Sequence, residues 1–244
     1  MSRTTQDSSV TSGEARPRPR WLKALGDASP PDDLEIGGHP HRLVEVFKHD
    51  SWAATSLYED EYGRRRVVKL HRKQSAFGVP LFWVGLMTAR REARMLAALA
   101  DLPGIPELSG PVAISGAVQA NGVAREYVEG HPLGDRERVD DEFFPALHRL
   151  LKAMHARRIA YVDLHKRENV LVDAHGRPCL FDFQIGVRWP RWLPGRFVFG
   201  LLSGSDDYHL KKHWTRCRPD QCELDESSFA AQRPWWIRAH RLIA

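Results

Sequence analysis

Two apolar triplets, Val170-Leu171-Val172 and Cys179-Leu180-Phe181, stand on either side of the pentapeptide Asp173-Ala174-His175-Gly176-Arg177. Short apolar runs separated by turn-forming residues read as a β-hairpin. Polar residues crowd its ends. Tyr161-Val162-Asp163-Leu164-His165-Lys166-Arg167-Glu168-Asn169 leads into the first strand, and Asp182-Phe183-Gln184 leaves the second. The chemistry of the chain is expected at this edge.

Upstream, Leu43, Val44, Val46 and Phe47, then Ser56-Leu57-Tyr58, then Arg66-Val67-Val68-Lys69-Leu70 give three short strands, the last two joined by a turn over Asp60–Gly63. Pro80 suits a first helical turn. After it Thr88, Ala89, Met95, Leu96 and Leu99 recur at helical spacing, and Pro103-Gly104 ends the helix. Val112–Ile114 and Val123–Val128 read as further strands, the second broken by Gly130-His131-Pro132. Phe143, Phe144, Leu147, Leu150, Leu151 and Met154 form the buried stripe of a second helix, with Asp140 or Asp141 as its cap. The 58 residues after Gly186 are basic, aromatic and irregular, with helices only weakly signalled. This order predicts an α+β fold in two lobes. Residues 1 to about 30, with Arg16-Pro17-Arg18-Pro19-Arg20 and Ser29-Pro30-Pro31, have little to bury and read as a disordered segment ahead of a domain spanning 31–244.

The net charge of +5 admits phosphate-bearing ligands, nucleic acid or an anionic membrane face. Three cysteines, Cys179, Cys217 and Cys222, argue against a disulfide framework and fit a reducing compartment. No apolar run has the length of a signal peptide, and no uncharged stretch approaches the roughly 18 residues of a membrane span. A cytoplasmic location is expected.

The stretch from Tyr161 to Val172, with Asp182 thirteen residues beyond Asn169, resembles the catalytic loop and metal-binding motif of protein-kinase-like enzymes. Their pattern is His-Arg-Asp, a spacer, Asn, a hairpin, then Asp-Phe-Gly. It is similar to the small bacterial branch that includes lipopolysaccharide Kdo and heptose kinases and RIO-type kinases. The resemblance implies a bilobal protein-kinase-like fold, with a mainly β N-lobe (about 31–128) carrying one long helix and a reduced, mainly α C-lobe (about 129–244). It implies ATP with Mg²⁺ or Mn²⁺. Asp163 is then the catalytic carboxylate, Lys166 a contact to the γ-phosphate, and Asn169 and Asp182 the metal ligands. Val67-Val68-Lys69 resembles the strand lysine that contacts the α- and β-phosphates, and Glu92, the one carboxylate between Tyr62 and Ala100, is its expected partner. Ser51 and Ala53 offer backbone N–H groups to phosphates, and the backbone near Glu126 and Val128 offers adenine a hinge.

Departures are as informative. Asp163 and Asn169 are six apart where five is usual, Gln184 replaces the glycine of Asp-Phe-Gly, and Tyr161-Val162 replaces His-Arg. The stretch Lys48 to Thr55 has no glycine, and no Ala-Pro-Glu follows. These point to a small, constitutive kinase whose acceptor is a sugar or lipid hydroxyl or a protein Ser/Thr. The alternative is a nucleotide-binding pseudokinase or scaffold. Arg188-Trp189-Pro190-Arg191-Trp192-Leu193-Pro194 and Arg233-Pro234-Trp235-Trp236-Ile237-Arg238 suit a membrane interface, with peripheral contact at its inner face, a polyanion or a protein partner, or bury their Trp residues against the small lobe. No specific nucleic-acid module is present. His209, His213 and Cys217, four apart, with Cys222 beyond, form either a zinc site or a basic phosphate-contacting helix.

Overall fold

The computed structural model describes residues 23–75, 80–190 and 195–222. Seven strands form one antiparallel sheet: β1 (Asp33–Ile36), β2 (His39–His49), β3 (Ala53–Glu59), β4 (Arg65–His71), β5 (Val112–Ile114), β6 (Ala117–Val118) and β7 (Gly122–Glu126), in the order β6-β5-β1-β2-β3-β4-β7. The sheet curls until its ends approach. Leu108 bridges to Arg125, Ser109 N–H donates to Ala124 O at 2.9 Å, and Glu126 N–H donates to Glu107 O at 2.8 Å. Alternation then sorts the strands, because successive side chains point to opposite faces. Val68 and Leu70 of β4 turn into the curl with Leu34, Ile36, Ala54, Tyr58, Val112 and Ala124. Lys69, between them, turns outward toward the second lobe.

The strands expected at 43–47, 56–58, 66–70 and 112–114 lie within β2, β3, β4 and β5; the one expected at 123–128 ends earlier, with β7 at Glu126, and Gly130-His131-Pro132, expected as a break, is itself a short strand. The Asp60–Gly63 turn is closed by Gly63 N–H on Asp60 O at 3.1 Å. β1 was not foreseen, although its buried Leu34 and Ile36 alternate ahead of the positive-φ pair Gly37-Gly38. The expected disorder to residue 30 is also corrected. Residues 1–22 lie outside the described part, but Ala24 and Leu25 are buried, and Ala24 N–H donates to Asp50 O at 2.7 Å. Leu25 reaches far enough into the curl to join its core.

Helix α1 (Phe82–Leu99) crosses the open side of the sheet and buries Gly85, Ala89, Glu92, Met95, Leu96 and Leu99. Its approach to β4 is very close. A Cβ on Gly85 would stand 2.0 Å from Arg72 O, so this contact requires glycine.

The second lobe is built on α2 (Phe143–Ala156), whose six expected stripe residues are the ones buried. The cap differs from expectation. Glu142 occupies the N-cap position without a side-chain bond. Asp141 instead accepts from Arg218 at 2.5 Å. The predicted hairpin is β10 (Val170–Asp173) and β11 (Pro178–Leu180), paired Val170↔Leu180, Leu171↔Cys179 and Val172↔Pro178, with β8 (Gly130–Pro132) on its other side. A small pair, β9 (Ile159–Ala160) with β12 (Val187–Arg188), lies nearby. The largest element that the sequence hid is α3 (Arg196–Cys217), whose apolar residues are spread around its axis and give no stripe to read. One contiguous core joins α1, α2, the hairpin and Phe183. The chain passes between lobes over Tyr127–Glu129.

Gly85→Val is expected to lower stability by about 1–3 kcal/mol, the usual cost of overpacking. Urea denaturation measures it, and Met87→Ala, on the exposed face, should change stability by less than about 0.5 kcal/mol.

Candidate active site

Three segments far apart in sequence meet where the lobes face each other. Lys69 Nζ donates to Asp182 Oδ1 at 2.7 Å and stands 3.4 Å from Glu92 Oε2. The lysine expected on a strand, the helical glutamate and the aspartate after the hairpin are thus one cluster. Burial disfavours the charged lysine, but Glu92 and Asp182 outweigh it and raise its pKa. Burial likewise pushes Glu92 up, yet Lys69 and the neighbouring His71 hold it down at about 2.

His71, fully buried, was not singled out from the sequence. Its Nε2 lies 3.1 Å from Glu92 Oε2, and its Nδ1 lies 3.1 Å from Thr88 Oγ1, one turn before Glu92 on α1. Two residues of β4 therefore hold the same carboxylate. Arg125, half-buried on β7, adds a second cation beside Lys69. Its guanidinium sits 5.1 Å from the Phe181 ring centre, and burial lowers its pKa against the pull of Glu92 and Asp182.

Asp163 is 1% exposed. Its Oδ2 accepts from Lys166 Nζ at 2.9 Å and from Asn169 Nδ2 at 2.8 Å. Its Oδ1 makes no hydrogen bond, with His165 Nδ1 facing it at 3.3 Å. The extra residue between Asp163 and Asn169 is absorbed locally. Lys166 N–H turns back onto Asp163 O, and Arg167–Asn169 close a 3₁₀ turn. Lys166 consequently reaches Asp163 despite the longer spacing.

This loop hangs on a second residue that the sequence did not reveal. Asp206 of α3 is fully buried and accepts from Tyr161 N–H and Val162 N–H, each at 2.8 Å, and from His155 Nε2 at 3.1 Å. It holds Val162 at φ 70°, a conformation costly for a β-branched residue. His213 donates Nε2–H to Leu164 O at 2.7 Å, and burial drives its pKa down to about 4. Tyr161 donates its hydroxyl to Phe181 O, which links the loop to the strand before Asp182. Asp182 itself has φ 64°, and Gln184 Nε2 donates to its Oδ2 at 3.2 Å.

Other expectations fare differently. The Ala53 N–H is not open to a phosphate, because it and the Trp52 N–H donate to Asp50 Oδ1 at 3.0 and 2.8 Å. Ser51 O accepts from Arg72 Nη1 at 2.6 Å, so the turn is fastened from behind. A loop without glycine is set by its own carboxylate rather than shaped around an anion. At the connection between lobes, Glu126 N–H is taken by Glu107 O and its carbonyl accepts from Arg125 Nη1 at 3.1 Å, while Val128 makes no backbone hydrogen bond among the described residues. Residues 191–194 and 233–238 lie outside the described part. Among the described residues no group of three or more His, Cys, Asp or Glu could hold a metal ion. The helical zinc arrangement is excluded there by His213, which is committed to Leu164. Asn169 and Asp182 suit Mg²⁺, which takes one or two protein oxygens and completes its shell with phosphate and water. Asn169 keeps its carbonyl oxygen once its Nδ2 is bonded to Asp163.

No family model and no curated protein matches the chain. Among solved structures, the Rio2 kinase–ADP/Mg²⁺–phosphoaspartate complex from Chaetomium thermophilum is 16% identical, with a TM-score of 0.48 over 81% of this chain and 60% of that one. The fold is bilobal and α+β: a curled sheet with one long helix, a hairpin-bearing helical lobe, and the charged cluster where they meet.

Asp206→Ala should leave two buried N–H groups unpaired and cost about 2–4 kcal/mol, at the usual penalty per orphaned donor. Chemical denaturation measures it. Glu92 has a folded pKa near 2 against 4.5 for the free group. It therefore contributes stability that is complete above 4.5 and is lost as pH falls through 2. Glu92→Gln should flatten the acid limb of the stability profile over that window.

Proposed function

We propose that this chain is an ATP-dependent phosphotransferase that uses Mg²⁺ or Mn²⁺ and transfers the γ-phosphoryl group to a hydroxyl acceptor. One observation carries the reading. Lys69 and Glu92 from the first lobe meet Asp182 from the second, with the Asp163–Lys166–Asn169 cluster on the loop leading to the same hairpin. Phosphoryl transfer asks the protein for position and charge more than for covalent chemistry. The divalent ion supplies charge neutralisation at the phosphates when bound, held by Asn169 and Asp182. Lys69 contacts the phosphates while Glu92 and His71 keep its strand and α1 together. Asp163 Oδ1, buried and without a hydrogen bond, is the acceptor for the substrate hydroxyl proton, and Lys166 is placed to steady the transferred group. Val128 offers adenine open backbone groups. The catalytic unit begins no later than Ala24, with the lobes divided near 128.

A nucleotide-binding pseudokinase is the second reading. It is favoured by Asp50 occupying the N–H groups of the β2–β3 turn and by Gln184 on Asp182.

Binding of ATP in the presence and absence of Mg²⁺, with single-turnover phosphoryl transfer, tests both. Asp182→Ala should abolish the metal dependence of binding. Asp163→Ala should keep binding and lower transfer by about 10²–10⁴-fold, the range of a general base. Metal-dependent binding with no ATP consumption selects the pseudokinase. Absence of any ATP binding removes both.

A further inference from the structure

The site uses only one side of α1. The opposite side carries Trp83 and Met87, which are 50% and 54% exposed. Arg90, Arg91, Arg94 and Ala97 continue the same exposed surface. Trp83, Met87, Arg90 and Arg94 follow the spacing i, i+4, i+7, i+11 and form a single stripe, about 16 Å long at 1.5 Å per residue. None of the three arginine side chains makes an ion pair or hydrogen bond among the described residues. The one carboxylate on the helix, Glu92, is buried on the far side.

Arg90, Arg91 and Arg94 give this face three positive charges, and no acidic residue of the helix is exposed beside them. The partner of this face is therefore anionic. It also has to accept an indole and a thioether. Six exposed side chains on one helix are few against the roughly 20–30 residues that each protein contributes to a stable interface. A lipid surface asks for no such area and no registry. It asks for one sign of charge with apolar groups to insert, which is the composition found.

We propose that the outer face of α1 docks onto an anionic lipid bilayer, with Trp83 and Met87 inserted and Arg90, Arg91 and Arg94 at the headgroup phosphates. On the phosphotransferase reading, the helix that carries Glu92 then lies against the bilayer, and the acceptor class it selects is a hydroxyl on an anionic lipid.

Flotation of the full chain with vesicles of phosphatidylcholine, with and without phosphatidylglycerol, tests the docking surface. Binding should require the anionic lipid and weaken with salt. Arg90→Gln/Arg91→Gln/Arg94→Gln should reduce it on the order of a hundredfold, and Trp83→Ser/Met87→Ser about tenfold, with thermal stability and ATP binding unchanged. Bromine-labelled lipid should quench part of the tryptophan fluorescence, and Trp83→Phe should remove that part. Equal binding by parent and variants, or no binding to anionic vesicles, overturns the proposal. So does retention on an acidic polypeptide matrix without vesicle binding, which assigns the face to an acidic protein. A self-association lost in Trp83→Ser also overturns it and assigns the face to a second copy. Vesicle binding by a chain that binds no ATP keeps the docking surface and removes only the acceptor assignment.

Discussion

Lys69 Nζ stands between two carboxylates from different lobes, 2.7 Å from Asp182 and 3.4 Å from Glu92. Each partner is costly to bury alone. Glu92 is 2% exposed, and an unpaired carboxylate at that depth would protonate or displace its helix. The rest of the first lobe can be understood as what brings that charge into reach. Gly85 lets α1 sit against the backbone of Arg72, Thr88 and His71 fix the turn before Glu92, and the alternation of β4 turns Lys69 away from the core that Val68 and Leu70 enter. The second lobe answers with a longer chain of supports. Asp206 holds Tyr161 and Val162, Tyr161 holds Phe181, and Phe181 precedes Asp182.

The parts of this arrangement legible in the sequence were those written in short-range pattern. The hairpin showed as two triplets around a turn, and α2 as a stripe whose six members are the buried ones. Glu92 could be singled out because it is the one carboxylate in a long basic stretch. The parts that stayed hidden depend on partners far away in the chain. Asp206 is one of two adjacent aspartates in a helix without an apolar face, and only the fold separates the fully buried one from Asp207. His71 reads as one more residue of a strand end. The β2–β3 turn was misread for a related reason. Small residues suggested room for an anion, but the carboxylate of Asp50, inside the same turn, already satisfies its N–H groups.

The two readings of activity differ in how much this pre-formed site departs from a working one. Lys166 reaches Asp163 across an expanded loop, and Asp163 Oδ1 is left without a hydrogen bond. A buried carboxylate oxygen in that state is expensive to maintain for structure alone, and polar groups of this kind concentrate where chemistry is done. The docking face on α1 is independent of that question, because it uses none of these residues.

Arg72 ties the tip of the β2–β3 turn to the strand that carries Lys69, through Ser51 O and Trp52 O, while Ala24 grips Asp50 from the other side. The roof of the cleft is therefore not a flap. Any relative motion of the lobes is left to the short connection Tyr127–Glu129 and not to this turn.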